Sequence, residues 1–219
     1  MYNSLLKMAL VAVMLVSVQS AFADISSSAQ MPEVREIQSE WARLYYLDEF
    51  LNKNYRELQA LAQKANQVAQ AHPESAEALT WDGIVLSTLA EKKGGIGALS
   101  LVKEARRKLE QAEAIDPTVL GGSVYASLGT LYAKVPGWPI GFGSDKKAEE
   151  YFRKALALNP EGLDINYFFA EYLADNGDDK MALEYIDKAL HAPVMADRPL
   201  ADQGRRNQAR KLREQLIGS

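Results

Sequence analysis

The chain has 219 residues, of which 47% are hydrophobic and 25% charged, a balance typical of a globular protein rather than a disordered or fibrous one. Its formal net charge of -4 argues against nucleic-acid binding, which depends on lysines and arginines that neutralise phosphates. It contains no cysteine, so its stability is expected to come from a hydrophobic core, and no cysteine is available to carry a lipid.

The first 23 residues have the pattern of an export signal. Lys7 is the only charged residue there, an apolar run follows from Met8 to Val16, and Ala21-Phe22-Ala23 has the small-x-small pattern of a cleavage site. The run is too short to span a membrane. We predict a cleaved signal peptide at 1–23 and a mature chain, 24–219, that is exported and soluble in the periplasm.

The first helical pattern of the mature chain lies in the run VREIQSEWARLYYLDEFL. Its apolar residues recur with the spacing of one helical face, at Val34, Ile37, Trp41, Leu44, Leu47 and Leu51. A partner helix is expected from about Tyr55 to Ala71. Together these segments predict a degenerate helical hairpin at about 33–73.

Three further hairpins are indicated by prolines that end similar runs. The runs KLEQAEAIDP, YFRKALALNP and YIDKALHAP end at Pro117, Pro160 and Pro193. They resemble the tetratricopeptide repeat, a helical hairpin of about 34 residues. The best match consists of Tyr125, Leu128, Gly129, Tyr132, Ala148, Phe152 and Pro160. We predict hairpins at about 75–117, 120–160 and 161–193 and a capping helix at about 201–217, which makes an all-α, α-α superhelix of about nine helices.

Polar residues mark several predicted helix starts, and one basic run marks the last helix. The side-chain oxygens that could cap free backbone amides belong to Ser75, Ser144, Asp164, Asp178 and Asp202. The run RRNQARKLR near the C-terminus is interpreted as a solvated helix face rather than as a phosphate site.

Two hairpins are longer than the repeat. Pro73, Pro117 and Pro160 lie 44 and 43 residues apart, against a period of about 34. Most of the excess is expected between the two helices of each hairpin, in LAEKKGGIGALSLVKEA and AKVPGWPIGFGSDKKA. Because both insertions fall at the same point of consecutive hairpins, we expect them at one edge of the superhelix, where elaborations of repeats often form a binding face.

The second insertion is unusually apolar for a loop. An aromatic side chain such as that of Trp138 offers about 150 to 250 Å², and monomers seldom expose large contiguous apolar patches. Three coverings stay open: the fold itself, another subunit, or an apolar ligand. The candidate contacts that this insertion itself provides are Pro136, Trp138, Pro139, Ile140 and Phe142. The GGIG run at Gly94 to Gly97 lacks the Lys-Ser/Thr pair of a P-loop and is interpreted as a turn.

The segments GGIGALSLVKEARRKLEQAEAIDP, VPGWPIGFGSD and KAEEYFRKALALNPEGLDINYFFAEYL resemble the T-component (TatT) family of tripartite ATP-independent periplasmic (TRAP) transporters. The resemblance covers roughly Glu77 to Leu190. It implies a helical-repeat protein that is neither an enzyme nor a channel, that forms trimers with apolar clefts, and that engages a periplasmic solute-binding subunit, with a hydrophobic ligand as a further expectation. By the same resemblance, the candidate ligand or oligomer contacts on this chain are Gly95, Ile96, Gly97, Leu101, Pro136, Gly137, Trp138, Pro139, Ile140, Gly141, Phe142 and Gly143. Members of the family are often lipoproteins, and the absence of cysteine here departs from that pattern.

Catalytic and metal-binding candidates are few. His72 and His191 lie at the ends of predicted helices, where an imidazole can bond to terminal carbonyls. The run DNGDD at Asp175 to Asp179 lacks the terminal glutamate of a calcium loop and is interpreted as a turn. We therefore expect no catalytic residue, no metal and no cofactor.

The predicted function is a non-enzymatic periplasmic component of TRAP-type solute uptake that contacts a solute-binding partner. The expected partners are that subunit, further copies of the chain in a trimer, and a hydrophobic small molecule. The alternative is a general tetratricopeptide scaffold that docks a peptide in its concave groove. In that case polar residues of the first helices, such as Asn166 and Glu171, would decide binding.

Overall fold

The computed structural model describes residues 30–47 and 55–218. The signal peptide predicted at 1–23 lies outside these residues. Within them the chain forms nine α-helices and no strand, so the predicted all-α helical-repeat fold is confirmed. Residues 32–47 and 55–218 belong to one compact unit.

The helices follow the chain in antiparallel pairs. Their bounds are α1 Pro32–Ala42, which continues into a π-helical turn at Arg43–Leu47, α2 Tyr55–Ala71, α3 Ala76–Lys93, α4 Leu99–Ile115, α5 Val119–Lys134, α6 Asp145–Leu158, α7 Leu163–Asp175, α8 Asp179–His191 and α9 Pro199–Gly218. The most extensive packing joins α3 to α4, α5 to α6 and α7 to α8. Helices α3, α5, α7 and α9 also pack in sequence, so that they form one layer of the repeat array.

Small residues allow the two helices of a hairpin to cross closely. Gly129 of α5 faces the ring of Phe152 on α6, and a β-carbon there would lie 2.9 Å from the ring. Gly83 of α3 meets Leu109 of α4 in the same way. Ala148 is fully buried at the start of the α6 contact. These contacts explain why the repeat pattern requires small residues at these positions.

Three of the five predicted capping residues do cap helices. Ser75, Ser144 and Asp178 accept hydrogen bonds from the first-turn amides of α3, α6 and α8. The other two lie inside the first turns of α7 and α9 and bind arginines instead. Asp164 pairs with Arg198 and Arg205, and Asp202 pairs with Arg206. The capping prediction was wrong for both, because their carboxylates bind arginine side chains rather than the first backbone amides of α7 and α9.

The first insertion differs from its prediction. The excess residues do not form a long loop, because α3 extends to Lys93 and α4 begins at Leu99. Only a short 3-10 turn at Ile96–Ala98 and the two glycines before it separate the helices. The extra length is taken up by longer helices, and the second insertion alone is a ten-residue loop between α5 and α6.

The last helix closes the array. Helix α9 packs on α7 and α8 and also contacts the π-helical turn near the start of the unit. The interpretation of its basic run as a solvated face was wrong at Arg205, which is 3% exposed. The guanidinium of Arg205 lies 4.2 Å from the ring centre of Phe168 and 4.6 Å from that of Tyr167. The chain therefore uses a buried cation where its sequence pattern indicated a hydrated one.

Candidate functional site

The segment 135–144, which we call the tryptophan loop, is held at its base by its own backbone. The amide of Ser144 donates to the carbonyl of Tyr132 at 2.9 Å, and the amide of Gly143 donates to the carbonyl of Pro136 at 3.0 Å. At the tip, the amide of Gly141 donates to the carbonyl of Gly137 at 3.1 Å. Because both base and tip are closed by hydrogen bonds, the loop has a defined shape.

Two glycines of the loop are required by close backbone approach. A β-carbon at Gly143 would overlap the carbonyl oxygen of Val135, and one at Gly141 would overlap the carbonyl oxygen of Pro136. Neither residue has a positive φ angle, so space rather than conformation demands glycine here. The glycines predicted as site residues therefore shape the loop.

The apolar side chains of the tryptophan loop divide into an outer and an inner set. Trp138 is 89% exposed and Ile140 is 61% exposed, together with Pro136 and Pro139. Phe142 turns inward: its ring lies 5.4 Å from that of Tyr132, and the guanidinium of Arg106 lies 4.3 Å from its centre. The alternative in which Trp138 packs against its own hairpin is therefore wrong, since Phe142 takes that place.

The turn between α3 and α4 presents one further apolar tip. Gly94 and Gly95 have φ angles of 62° and 59°, which favour glycine, and they turn the chain outward before Ile96. The side chain of Ile96 is 87% exposed. Leu101 lies in the first turn of α4 and is partly buried, so it does not share this exposure.

The two segments emerge at the same edge of the array. Each joins the first helix of a hairpin to the second, in consecutive hairpins, and Arg106 of α4 contacts Phe142 of the tryptophan loop. Ile96, Trp138 and Ile140 form what we call the loop surface. These three are the exposed large apolar side chains among the predicted site residues, whereas Leu101 and Phe142 are partly buried.

A second group of side chains lies where α9 meets the rest of the fold. The Asp164 carboxylate accepts from Arg205 at 2.9 Å and from Arg198 at 2.7 Å. Burial alone would raise the pKa of Asp164, but the two guanidinium groups hold its pKa below the ordinary value. The local sequence pattern contained no signal for this group, because Asp164 lies more than 30 residues from either arginine.

Asn166 and Glu171, the polar residues expected to bind a peptide in the groove, form contacts with other residues of the chain. Asn166 is completely buried, and its amide donates to the carbonyls of Pro160 and Gly162 at 2.8 Å each. Glu171 lies 3.3 Å from the ammonium of Lys134, which also pairs with Asp175. Asn166 therefore holds the turn between α6 and α7, and its proposed role in docking was wrong.

One cleft lies at the opposite edge, between the start of α5, the turn between α6 and α7, and the segment before α9. It is lined by Gly121, Asn159, Asp164, Met195 and Arg198 among others and has a volume of about 50 Å³. A water molecule occupies about 30 Å³ in the liquid. The cleft accommodates water but is too small for a hydrophobic solute.

The remaining titratable candidates occupy structural positions. His191 lies at the end of α8, with its Nδ1 atom 2.7 Å from the carbonyl oxygen of Asp187. Asp178 of the DNGDD run caps α8, and Gly177 beside it has a φ angle of 78°, as a turn requires. Across residues 30–47 and 55–218, no three His, Cys, Asp or Glu side chains come together as a metal site would require. In the same ranges, no helix is both long enough and apolar enough to cross a bilayer.

Comparison with known proteins identifies a protein family and individual relatives. Residues 29–216 match the model of the family described as TRAP transporter T-component. The chain is also 30% identical over 138 residues to the Sel1-repeat-containing protein YjcO of Escherichia coli, which covers 63% of this chain and 53% of that protein. It is 41% identical over 68 residues to the Sol locus transcriptional repressor of Clostridium acetobutylicum, which covers 31% of this chain and 19% of the repressor. The chain thus spans about a fifth of one curated relative and about half of the other.

Proposed function

Because the chain belongs to the T-component family of TRAP transporters, we propose that it is an exported accessory protein that contacts the transporter's solute-binding subunit through the loop surface. The family match associates the chain with TRAP transport, and the family is one of transporter accessories rather than of enzymes. The contact with the solute-binding subunit, and its place on the loop surface, are the proposal.

The observation that carries this proposal is the exposure of Trp138 at the tip of a loop closed by hydrogen bonds. A side chain of this size left 89% exposed is unfavourable in water and favourable in an interface, where tryptophan is enriched among residues that dominate binding. A loop of fixed shape loses little conformational entropy on binding, which favours a specific partner.

The experiment is a titration of the mature protein with the TRAP solute-binding subunit of the same organism. We expect the fluorescence of Trp138 to shift to shorter wavelength on binding, because Trp41 and Trp81, the other tryptophans of the chain, are buried and stay so. The double variant Trp138→Ala/Ile140→Ala should lose affinity by about tenfold or more while keeping its helical content.

The matched control is Val194→Ala, which removes an aliphatic side chain that is 74% exposed outside the loop surface. It should bind as the unchanged protein does. If the unchanged protein does not bind the solute-binding subunit, or if the double variant binds equally well, the proposal is refuted.

The proposal extends to self-association. The family resemblance implies a trimer, and because the loop surface is assigned to the solute-binding subunit, the copies of the chain would meet through another surface. Light scattering at micromolar concentration should give the mass of a trimer. A strict monomer would remove this part of the proposal and leave the contact with the solute-binding subunit to be judged separately.

Binding of a hydrophobic small molecule is the less favoured extension. The cleft at the opposite edge holds about 50 Å³, whereas ligand pockets usually hold about 300 to 1,000 Å³. A ligand would therefore meet the loop surface rather than this cleft. A general peptide scaffold is not favoured either, because Asn166 is buried and hydrogen-bonded.

A further inference from the structure

The surroundings of the loop surface are basic in a chain that is acidic overall. Residues 91–103 and 134–147 contain six lysines and two carboxylate residues, Glu91 and Asp145, whereas the whole chain has a net charge of -4. The two segments that carry Ile96, Trp138 and Ile140 are therefore net positive within an acidic chain.

Several of these lysines lack a neutralising partner. Lys93, Lys103 and Lys146 are exposed, and no carboxylate of the described residues lies within 4 Å of their ammonium groups. By contrast, the basic residues further along α6 are paired with acids one helical turn away, as Lys154 is with Glu150 at 3.0 Å. The rim of the loop surface thus carries positive charge that has no carboxylate in contact with it, unlike the basic residues further along α6.

The basic region has clear limits. Lys134 is bound by Asp175 and Glu171 and so contributes no free charge. Lys147 lies over the ring of Tyr132, 5.0 Å from its centre, and supports the loop from inside. The next turn along the same edge, between α7 and α8, carries Asp175, Asp178 and Asp179. The uncompensated charge therefore lies in the two segments that carry the three apolar tips, and the next turn along the same edge is acidic.

We infer that the partner surface that meets the loop surface is acidic around an apolar recess, and that Lys93, Lys103 and Lys146 steer it onto Trp138, Ile96 and Ile140. This inference rests on the proposed function and gives the chemistry of its partner. An exposed tryptophan contributes about 150 to 250 Å², a fraction of the roughly 800 Å² that each side of a standard interface buries. A charged rim is therefore part of the contact.

A protein recess fits these observations better than a lipid surface does. The tip of the tryptophan loop is fixed by the hydrogen bond from Gly141 to Gly137, and its base by that from Gly143 to Pro136. A rigid anchor gains affinity from a recess of complementary shape, because little ordering remains to be done on binding. A fluid bilayer offers no such shape.

The two parts of the surface should act on different rate constants. Rim charges act at a distance, so they raise the association rate and make it depend on salt. The apolar anchor acts only in contact, so its loss speeds dissociation. This difference separates a steering rim from lysines that merely keep the protein hydrated.

The test measures association and dissociation rates with the TRAP solute-binding subunit in low and high sodium chloride. The double variant Lys93→Glu/Lys146→Glu should associate about tenfold more slowly at low salt, with an unchanged dissociation rate, and high salt should remove most of the difference. Trp138→Ala should instead dissociate faster and associate normally. The control Arg210→Glu/Lys211→Glu makes the same change of net charge on exposed residues of α9 and should behave as the unchanged protein does.

The outcomes separate the two proposals. Binding whose association rate ignores salt and the Lys93/Lys146 change overturns the steering inference and leaves the proposed function in place. No binding of the solute-binding subunit by the unchanged protein overturns both. Vesicles of anionic phospholipid that bind the unchanged protein, but not the charge variant, would assign the surface to a membrane and also overturn the inference.

Discussion

Gly204 of α9 lies directly against the ring of Tyr46 in the π-helical turn at Arg43–Leu47, and a β-carbon at Gly204 would overlap that ring. The contact joins the last helix to a turn near the start of the repeat unit. Arg205, the next residue, places its guanidinium 5.9 Å from the centre of the same ring. The contact between α9 and the π-helical turn thus requires glycine at position 204.

Gly204→Ala should destabilise the protein. Alanine favours a helix interior over glycine by about 1 kcal/mol, but overpacking costs about 1 to 3 kcal/mol when neighbours must move. Because the added β-carbon would overlap an aromatic ring, the overpacking cost should lie near the upper end of that range, which leaves a net loss of about 1 to 2 kcal/mol in the free energy of unfolding, measured by urea denaturation. Gly218→Ala is the control, since nothing lies within 4 Å of its added β-carbon. A Gly204→Ala protein as stable as this control would show that α9 does not press on Tyr46.

Lys108 and Asp82 form an ion pair inside the second hairpin. Their charged groups lie 2.7 Å apart, and their side chains are 6% and 0% exposed. Asn66 donates to the same carboxylate oxygen at 3.2 Å. Burial raises the pKa of Asp82, against the opposing effect of Lys108.

Lys108→Met should therefore cost about 3 to 5 kcal/mol at neutral pH, because it leaves a buried carboxylate without its counterion. When folding raises the pKa of a carboxyl group, the folded protein becomes less stable as the pH rises through that pKa. The Lys108→Met variant should therefore recover stability on acidification. The double variant Asp82→Leu/Lys108→Met should regain most of the loss at all pH values. Equal urea midpoints for the single and double variants at pH 7 would contradict this account.

Asp164 should make the free energy of unfolding depend on pH in the acid range. Its pKa is held below the ordinary value of 3.8 by Arg198 and Arg205. A carboxylate whose pKa is lowered by folding contributes stability above its unfolded pKa and loses that contribution as the pH falls through its folded pKa. Asp164→Asn should thus cost about 2 kcal/mol at pH 7, less than a fully buried pair because the Asp164 side chain is 29% exposed.

The check on Asp164 is the difference in unfolding free energy between the two proteins, measured from pH 7 to pH 2. It should stay constant down to about pH 5 and shrink below the ordinary carboxylate pKa of about 3.9. A difference that does not change with pH would assign the loss to packing rather than to charge.

The tryptophan loop should tolerate a side chain at one glycine and not at another. Gly143→Ala places a methyl group on the carbonyl oxygen of Val135, so the base of the loop must open. Gly137→Ala meets only the carbonyl oxygen of Gly143 at 3.4 Å, an ordinary contact. We expect Gly143→Ala to weaken binding of the solute-binding subunit by about tenfold while circular dichroism stays unchanged, and Gly137→Ala to bind normally. Similar affinities for the two variants would mean that loop shape does not matter.

The helices of this protein could be predicted because their signals are local. The prolines at Pro117 and Pro160 end α4 and α6 within two residues, and Gly129 and Phe152 meet as the repeat pattern requires. Such features depend on neighbours a few residues away or on one helix crossing another, and the sequence pattern records them directly.

The features that escaped prediction depend on distant partners or on backbone geometry. Nothing near Arg205 in the sequence indicates that a carboxylate 41 residues earlier will pair with it. The basic face of α9 was therefore interpreted as exposed to water. Leu120, Gly121 and Gly122 have φ angles of 52°, 62° and 86°, and this left-handed start of α5 has no clear sequence signal at Leu120.

Within the candidate site, the sequence located the tryptophan loop but not the direction of its side chains. Trp138 and Phe142 are both aromatic and both lie among glycines. The backbone hydrogen bonds of the loop decide that one points to solvent and the other to Tyr132. Composition carries no information on that choice.

The contact between α9 and the turn at Arg43–Leu47 also limits how this fold can evolve. Open arrays of helical hairpins lengthen readily by duplication, since each unit touches only its neighbours. Here an added hairpin would move Gly204 away from Tyr46 and separate the first and last helices of the unit. The number of hairpins is therefore fixed by geometry, and variation among related chains should accumulate in the connecting loops rather than in the number of units.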